Sequence, residues 1–151
     1  MIQLSGTTLA YIGDSIYEVK VREFLIDTGL TKVDELHKNA IKYTSATGQA
    51  SAYDVIEECL TDAEISVFKR GRNCESSRKP RNTSLAIYKK ATGFEALVGY
   101  LYLSKEFVRL DELYSKIFKE VGGFKKGTPF FKKNKTGDIE FYFPEKNKYN
   151  L

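Results

Sequence analysis

Two segments of this chain carry almost no charge over the length of a helix, and each contains a single acid. Asp14 is the only charged residue between positions 4 and 17, and Glu95 is the only one in ATGFEALVGYLYL, residues 91–103. Apolar residues recur every three or four positions in both segments, which predicts helices. Helices that are apolar on nearly every face are typical of the centre of a bundle. The sequence therefore predicts an all-α fold.

Further helical patterns predict six or seven helices in the first 121 residues, where no strand alternation appears. The expected helices run from Thr7 to about Thr28, from near Val33 and from about Ser45 to Leu60 with only a bend at Gly48 between these two, from a Thr61–Glu64 capping box, from about Ser84 or Ile87 to Leu103, and from about Leu110 to Gly122. Gly29 is expected to end the first of them.

Residues 1–121 are predicted to form one helical domain, and residues 122–151 a basic, aromatic extension. Residues 138–143 are rich in aromatic and β-branched side chains after a Thr-Gly-Asp turn, so a short β-hairpin is compatible with this part. Lysines interleaved with aromatics suit a nucleic-acid surface. A cover packed on the helical body fits the extension equally well.

The composition excludes several other classes of protein. No apolar run approaches the roughly 20 residues of a membrane span, and the first residues lack the pattern of a signal peptide. Two cysteines without CxxC spacing are typical of a reducing compartment. We therefore expect a cytoplasmic protein with no membrane partner.

Positive charge is concentrated in two places. The extension holds the whole net charge of +4, while residues 1–121 are balanced. Within the balanced part, residues 69–90 carry eight basic side chains and one acid, so this basic stripe has a charge of +7 and the remainder −7. Its candidate contact residues for a polyanion are Lys69, Arg70, Arg72, Asn73, Arg78, Lys79, Arg81 and Asn82. A merely solvated basic loop is the alternative.

The two isolated acids need compensation, because an ionised carboxylate removed from water is costly unless a cation or a metal ion accompanies it. Each lies beside a glycine, Gly13 or Gly93, although glycine within a helix costs roughly 1 kcal/mol relative to alanine. We therefore expect the two helices to cross near these glycines and to bring Asp14 and Glu95 to one site.

Two adjacent carboxylates without a cation suit a hard divalent ion such as Mg²⁺, which usually keeps several waters. The alternative is two ordinary ion pairs. In that case Asp14 pairs with Arg22 or a distant lysine, and Glu95 pairs with Lys89 or Lys90. The residues alone leave both interpretations open.

Three segments together carry a resemblance to a known family. LAYIGDSIYE, the KRGRN segment with the proline-containing basic loop that follows it, and FEALVGYLYL resemble the catalytic domain of the ribonuclease III family. The resemblance runs from about Leu9 to about Phe118 and is to the Mini-III branch, which lacks a separate double-stranded-RNA-binding domain. It implies a ribonuclease III-like helical bundle in which Asp14 and Glu95 are the catalytic, Mg²⁺-binding residues.

The larger ribonuclease III enzymes have two further acids, where this sequence has Ala10 and Thr92. This difference leaves open whether each site holds one metal ion or two. Glu18 lies one turn after Asp14 and is a candidate outer-shell acid. His37, the only histidine, is expected to be a surface residue on the polar face of the second helix.

The resemblance implies an endoribonuclease that hydrolyses both strands of double-stranded RNA and leaves 5′-phosphate and 3′-hydroxyl ends. It also implies a role in maturation of the large-subunit ribosomal RNA precursor. One site cuts one strand, so a homodimer with C2 symmetry is expected. The alternative is a non-catalytic double-stranded-RNA-binding or ribosome-associated module on the same fold. A helical interaction protein without nucleic acid is a weaker alternative, because the basic stripe argues against it.

Overall fold

The computed structural model describes residues 3–75 and 83–120, together with the backbone of 130–133 and 139–142. In chain order these residues form α1 Gly6–Asp27, α2 Val33–Thr44, α3 Ala46–Ile56, a 3₁₀ turn Glu57–Cys59, α4 Asp62–Arg72, α5 Leu85–Leu103, α6 Phe107–Glu120, β1 Phe130–Lys133 and β2 Ile139–Tyr142. The predicted all-helical body is confirmed. None of the described helices is long and apolar enough to cross a bilayer.

Local capping determines where several helices begin and end. The Ser5 side chain accepts a hydrogen bond from the Thr8 amide at 3.2 Å and caps α1, and Gly29 follows the helix with a positive φ of 97°. The capping box at the start of α4 is confirmed, since Thr61 and Glu64 each bond the other's amide, at 3.2 and 2.9 Å. These ends could be predicted because short-range bonds make them.

Three boundaries differ from the prediction. The third helix was expected to reach Leu60, but α3 ends at Ile56 and a 3₁₀ turn follows it. The break between α2 and α3 lies at Ser45, whose side chain caps α3 by accepting the Gly48 amide at 3.1 Å. Gly48 is therefore not a bend. It instead allows the first turn of α3 to pack closely on the carbonyls that end α2. The last helix, α6, begins at Phe107, about one turn before the predicted Leu110.

Helix α5 lies at the centre of the bundle and packs most extensively against α1, then against α4 and α3. Aromatic rings fill the adjoining core. Tyr17 meets Phe94 edge to face with ring centroids 4.8 Å apart, and Phe24 stacks on Phe118 at 4.3 Å. The placement of α5 agrees with its apolar sequence.

The crossing of α1 and α5 depends on two glycines. A Cβ atom at Gly13 would collide with the carbonyl oxygen of Glu95, and one at Gly99 would collide with the carbonyl oxygen of Leu9. The two helix backbones are therefore in direct contact. The predicted role of Gly13 is confirmed, but the assignment of Gly93 was wrong. Gly93 faces Phe68 of α4, because it lies on a different side of α5 from Glu95 and Gly99.

The two strands pair antiparallel, with Phe130 opposite Tyr142 and Lys133 opposite Ile139. This pairing corresponds to the short hairpin that the sequence was compatible with. The predicted domain boundary at residues 121 and 122 lies outside the described residues and stays a prediction.

A buried ion pair holds the start of α4 against α6. The Arg109 guanidinium donates to both carboxylate oxygens of Glu64 at 2.9 Å, and to the Cys59 carbonyl at 2.7 Å. Glu64 is only 5% exposed. Burial alone would raise the pKa of Glu64, but hydrogen bonds from Arg109 and Thr61 outweigh burial and hold the pKa below its ordinary 4.5.

Replacing Gly99 with alanine tests the crossing. Alanine within a helix is usually better than glycine by roughly 1 kcal/mol. Here the added methyl group should instead lower the free energy of unfolding by about 1–3 kcal/mol, because it forces α1 and α5 apart. Urea denaturation measures the change, and exposed Ser51→Ala in α3 is the control, expected within about 0.5 kcal/mol of wild type. A stabilised Gly99→Ala variant would contradict the contact.

Breaking the buried pair should be far more damaging than breaking an exposed one. We expect Arg109→Met to lower the free energy of unfolding by about 2–3 kcal/mol at neutral pH. The matched control is Arg22→Met, whose partner Glu18 is solvent-accessible and whose loss should cost under about 1 kcal/mol. Equal losses in the two variants would argue against the burial of this charge.

The same pair predicts a pH dependence. Because the folded-state pKa of Glu64 is lowered, its contribution to stability is fully present above pH 4.5 and is lost as the pH falls through the folded-state value. The difference in unfolding free energy between wild type and Arg109→Met should therefore shrink below pH 4.5. A difference that stays constant down to low pH would contradict this assignment.

Candidate active site

The contact between α1 and α5 brings Asp14 and Glu95 together, and their side chains share a hydrogen bond. A hydrogen bond between two carboxyl groups requires a proton on one of them. Burial, then the charge of Asp14 and the shared bond, raise the pKa of Glu95 to about 8. The predicted juxtaposition of the two acids is confirmed by this geometry.

The two acids differ in their exposure. Glu95 is half-buried, whereas Asp14 lies on an exposed face of α1, so the expectation that both are removed from water was wrong for Asp14. The remaining burial of Asp14 and the nearby charge of Glu18 still raise its pKa, while the bond to Glu95 lowers it. The helix is less enclosed than its apolar sequence suggested, because Tyr11 and Val19 are exposed as well.

The cations that could have neutralised these acids are engaged elsewhere. Arg22 bonds Glu18 at 3.0 Å, and Lys90 bonds Asp54 at 2.8 Å. Within residues 3–75 and 83–120, no ion pair involves Asp14 or Glu95. The alternative in which Arg22 and Lys90 pair with the two acids is therefore wrong.

The predicted outer-shell acid, Glu18, lies close enough for its charge to raise the pKa of Asp14. It accepts two hydrogen bonds from Arg22, from Nη2 at 3.0 Å and from Nε at 3.2 Å. Its contribution to a metal site stays a prediction. His37 is exposed on α2, as expected.

The donor set fits a hydrated hard cation. In the described part of the chain, no three acidic, histidine or cysteine side chains gather into a metal-binding cluster. Ala10 is buried and has no ligating side-chain atom, and the Thr92 hydroxyl donates to the Tyr88 carbonyl at 3.0 Å. Asp14 and Glu95 thus present two adjacent carboxyl groups that no cation of the described residues neutralises, which suits Mg²⁺ with several waters.

The basic end of α4 packs beside the turn of α5 that carries Glu95. Gly71 of α4 lies against Gly93 and Ala96 of α5. A Cβ atom at either Gly71 or Gly93 would collide with the facing helix. Lys69, Arg70 and Arg72 lie in the last turn of α4, and Asn73 follows as its C-cap. The predicted residues Arg78, Lys79, Arg81 and Asn82 lie outside the described residues.

The structure also identifies features that the sequence analysis missed. Gly99, not Gly93, makes the contact of α5 with α1. Its position four residues after Glu95, on the same side of the helix, was a usable signal. An aromatic platform formed by Tyr53 and Phe68 lies under Arg72. No local pattern links these rings, because they come from different helices.

Comparison with known proteins agrees with this architecture. The protein-family model for the Ribonuclease III domain matches residues 7–106 of this chain. Mini-ribonuclease 3 of Enterococcus faecalis is 44% identical over 122 residues, covering 80% of this chain and 92% of that protein. Mini-ribonuclease 3 of Streptococcus pneumoniae is 39% identical over 122 residues, covering 80% and 95%.

A crystal structure of a protein from Fusobacterium nucleatum has the same fold, with a TM-score of 0.71 and 27% sequence identity over 78% of this chain and 90% of that one. The domain match covers more than half of the chain, and the relatives are matched over nearly their whole length. The chain therefore belongs to the ribonuclease III family of endoribonucleases, in its Mini-ribonuclease 3 branch.

Proposed function

We propose that this protein is a Mg²⁺-dependent endoribonuclease that cleaves double-stranded RNA and acts in maturation of the large-subunit ribosomal RNA precursor, in the cytoplasm. One observation carries the catalytic part of the proposal. Asp14 and Glu95 lie side by side without a cation in the described residues, beside the basic end of α4. A protein that only bound RNA would gain nothing from keeping two adjacent carboxyl groups whose pKa values are raised.

Asp14 and Glu95 would hold the divalent ion through their carboxylate oxygens after losing the proton that they share. When bound, Mg²⁺ supplies Lewis-acid stabilisation of charge on the phosphate and on the leaving oxygen. A water oxygen forms the new bond to phosphorus, and the bond from phosphorus to the 3′ oxygen breaks. The attacking water gives up a proton to solvent and the departing oxygen takes one, so the products have 5′-phosphate and 3′-hydroxyl ends.

The roles of the surrounding residues follow from their positions. Half-buried Glu95 would hold the ion in surroundings less polar than bulk water, which strengthens its electrostatic effect. His37, the only histidine, is exposed on α2, and we assign it no role as a general base. We assign Lys69 and Arg72 to the phosphate backbone of the duplex, because duplex RNA is recognised mainly through phosphates and 2′-hydroxyls. Asn73 accepts a hydrogen bond from Arg72 and holds its side chain.

Removing either carboxylate should abolish cleavage. We expect Asp14→Asn and Glu95→Gln to cut a long RNA duplex at least about 1,000-fold more slowly than wild type in Mg²⁺, because each loses charge needed to hold the ion. Gel analysis of the products measures the rate. Asp27→Asn, the same change at the far end of α1, is the matched control and should cut normally. Cleavage by both active-site variants at the wild-type rate would overturn the proposal.

A binding measurement separates ion loss from misfolding. Mg²⁺ should raise the thermal midpoint of wild type and Asp27→Asn, because a ligand that binds the folded state stabilises it. Mg²⁺ should not change the thermal midpoints of Asp14→Asn and Glu95→Gln. In the absence of Mg²⁺ both variants should be at least as stable as wild type, since they remove a carboxylate whose pKa is raised. An equal Mg²⁺ shift in all four proteins would place the ion elsewhere.

We further propose a homodimer, because cutting both strands of a duplex requires two sites. Two tyrosines of α1 differ in their exposure. Tyr17 is buried, whereas Tyr11 is 81% exposed and lies one turn before Asp14. Aromatic side chains such as tyrosine are enriched at protein–protein interfaces, so we place Tyr11 at the dimer contact.

The proposed dimer predicts that Tyr11→Lys forms a monomer at concentrations where wild type is dimeric. The charged residue would have to be buried between the two protomers. Sedimentation equilibrium measures the change, and the matched control is Ile41→Lys on α2, where a residue 49% exposed is replaced. The monomeric variant should also cleave both strands of duplex RNA more slowly than wild type. A monomeric wild type, or a Tyr11→Lys dimer as tight as wild type, would contradict this surface.

A further inference from the structure

The two arginines on either side of Gly71 have different surroundings. Nη1 of Arg70 donates a hydrogen bond to the backbone carbonyl of Leu4 at 3.0 Å. The backbone of Arg70 also lies against Gly6, where a Cβ atom would meet its carbonyl group. Arg70 therefore connects the end of α4 to the segment that enters α1.

Arg72 has no such partner in the neighbouring helices. Its Nε donates to Oδ1 of Asn73 at 3.1 Å, and its guanidinium lies 5.6 Å from the centre of the Phe68 ring. Among the described residues, no carboxylate pairs with it. The contacts with Asn73 and Phe68 thus orient the guanidinium group, but they do not neutralise its positive charge.

The support under Arg72 is rigid. Phe68 is 3% exposed and stacks on Tyr53 with ring centroids 3.6 Å apart and planes 8° from parallel. The edge of the Phe68 ring packs against Gly93 of α5. A guanidinium held on an aromatic face, with Nε already bonded, can present its two terminal nitrogens together to a phosphate.

We propose that Arg72 is the pre-oriented phosphate ligand of the basic stripe, whereas Arg70 is a structural clamp that contributes little to RNA binding. The inference rests on the proposed function and refines it, because it assigns different tasks to two arginines that the sequence places together. The phosphate belongs to the RNA duplex, since the Gly71 contact holds this turn of α4 against α5, the helix that carries Glu95.

Salt-dependent binding distinguishes the two arginines. Affinity for a duplex of about 30 base pairs is measured in EDTA, which prevents metal-dependent cleavage, over a range of KCl concentrations. Arg72→Gln should weaken binding roughly tenfold and reduce the log–log salt slope by about one unit. Arg70→Gln should keep the wild-type slope and lower the thermal midpoint. Lys38→Gln, an exposed charge on α2, should alter neither.

Two further variants test the orientation of the side chain. Arg72→Lys keeps the charge but loses the planar, stacked group, so it should retain the salt slope and still lose several-fold in affinity. Asn73→Ala should weaken binding in wild type but add nothing in the Arg72→Gln background, because Asn73 acts by holding Arg72. Additive effects would mean that Asn73 contacts the RNA independently.

The outcomes separate this inference from the proposed function. A wild-type protein that neither binds nor cuts duplex RNA overturns both. If wild type binds and cuts, but Arg72→Gln keeps the wild-type slope, only the inference fails. It also fails if Arg70→Gln lowers the slope as much as Arg72→Gln does, because the clamp would then be a phosphate contact. Circular dichroism and thermal midpoints are recorded for every variant.

Discussion

The direct backbone contact between α1 and α5 is the constraint on which the candidate site depends. Gly13 and Gly99 have no side chains to separate the helices, so each meets a carbonyl of the other helix. Because the two backbones touch, the neighbouring side chains of Asp14 and Glu95 reach each other. A second glycine contact, between Gly71 and Gly93, sets α4 against another side of α5. The carboxyl pair and the basic end of α4 therefore share one rigid framework.

The distribution of cations explains why two glutamates of the same bundle behave in opposite ways. Glu64 is buried but bonds Arg109, so its pKa is lowered and the pair contributes to stability. Glu95 is half-buried beside another acid, so its pKa rises to about 8. Glu64 thus has its cation close by, whereas the pair of Asp14 and Glu95 has none among the described residues. That pair is held at a cost in stability, as expected of a functional site.

Much of the fold could be predicted because local interactions produce it. The Thr61 capping box and the stop at Gly29 are short-range features, and they were predicted correctly. The bend assigned to Gly48 was wrong, because Ser45 ends one helix and caps the next while the glycine serves packing. Glycine alone does not distinguish a bend from a close contact, since both need a residue without a side chain.

By itself, the sequence determined the helical class, the isolation of Asp14 and Glu95, and the position of the basic stripe, since these follow from periodicity and charge. Only the tertiary structure decided which glycine of α5 faces α1, which acids Arg22 and Lys90 neutralise, and which of Arg70 and Arg72 keeps an unneutralised charge. These depend on which sides of the helices meet. That choice is made by packing between residues far apart in the chain, which no local pattern records.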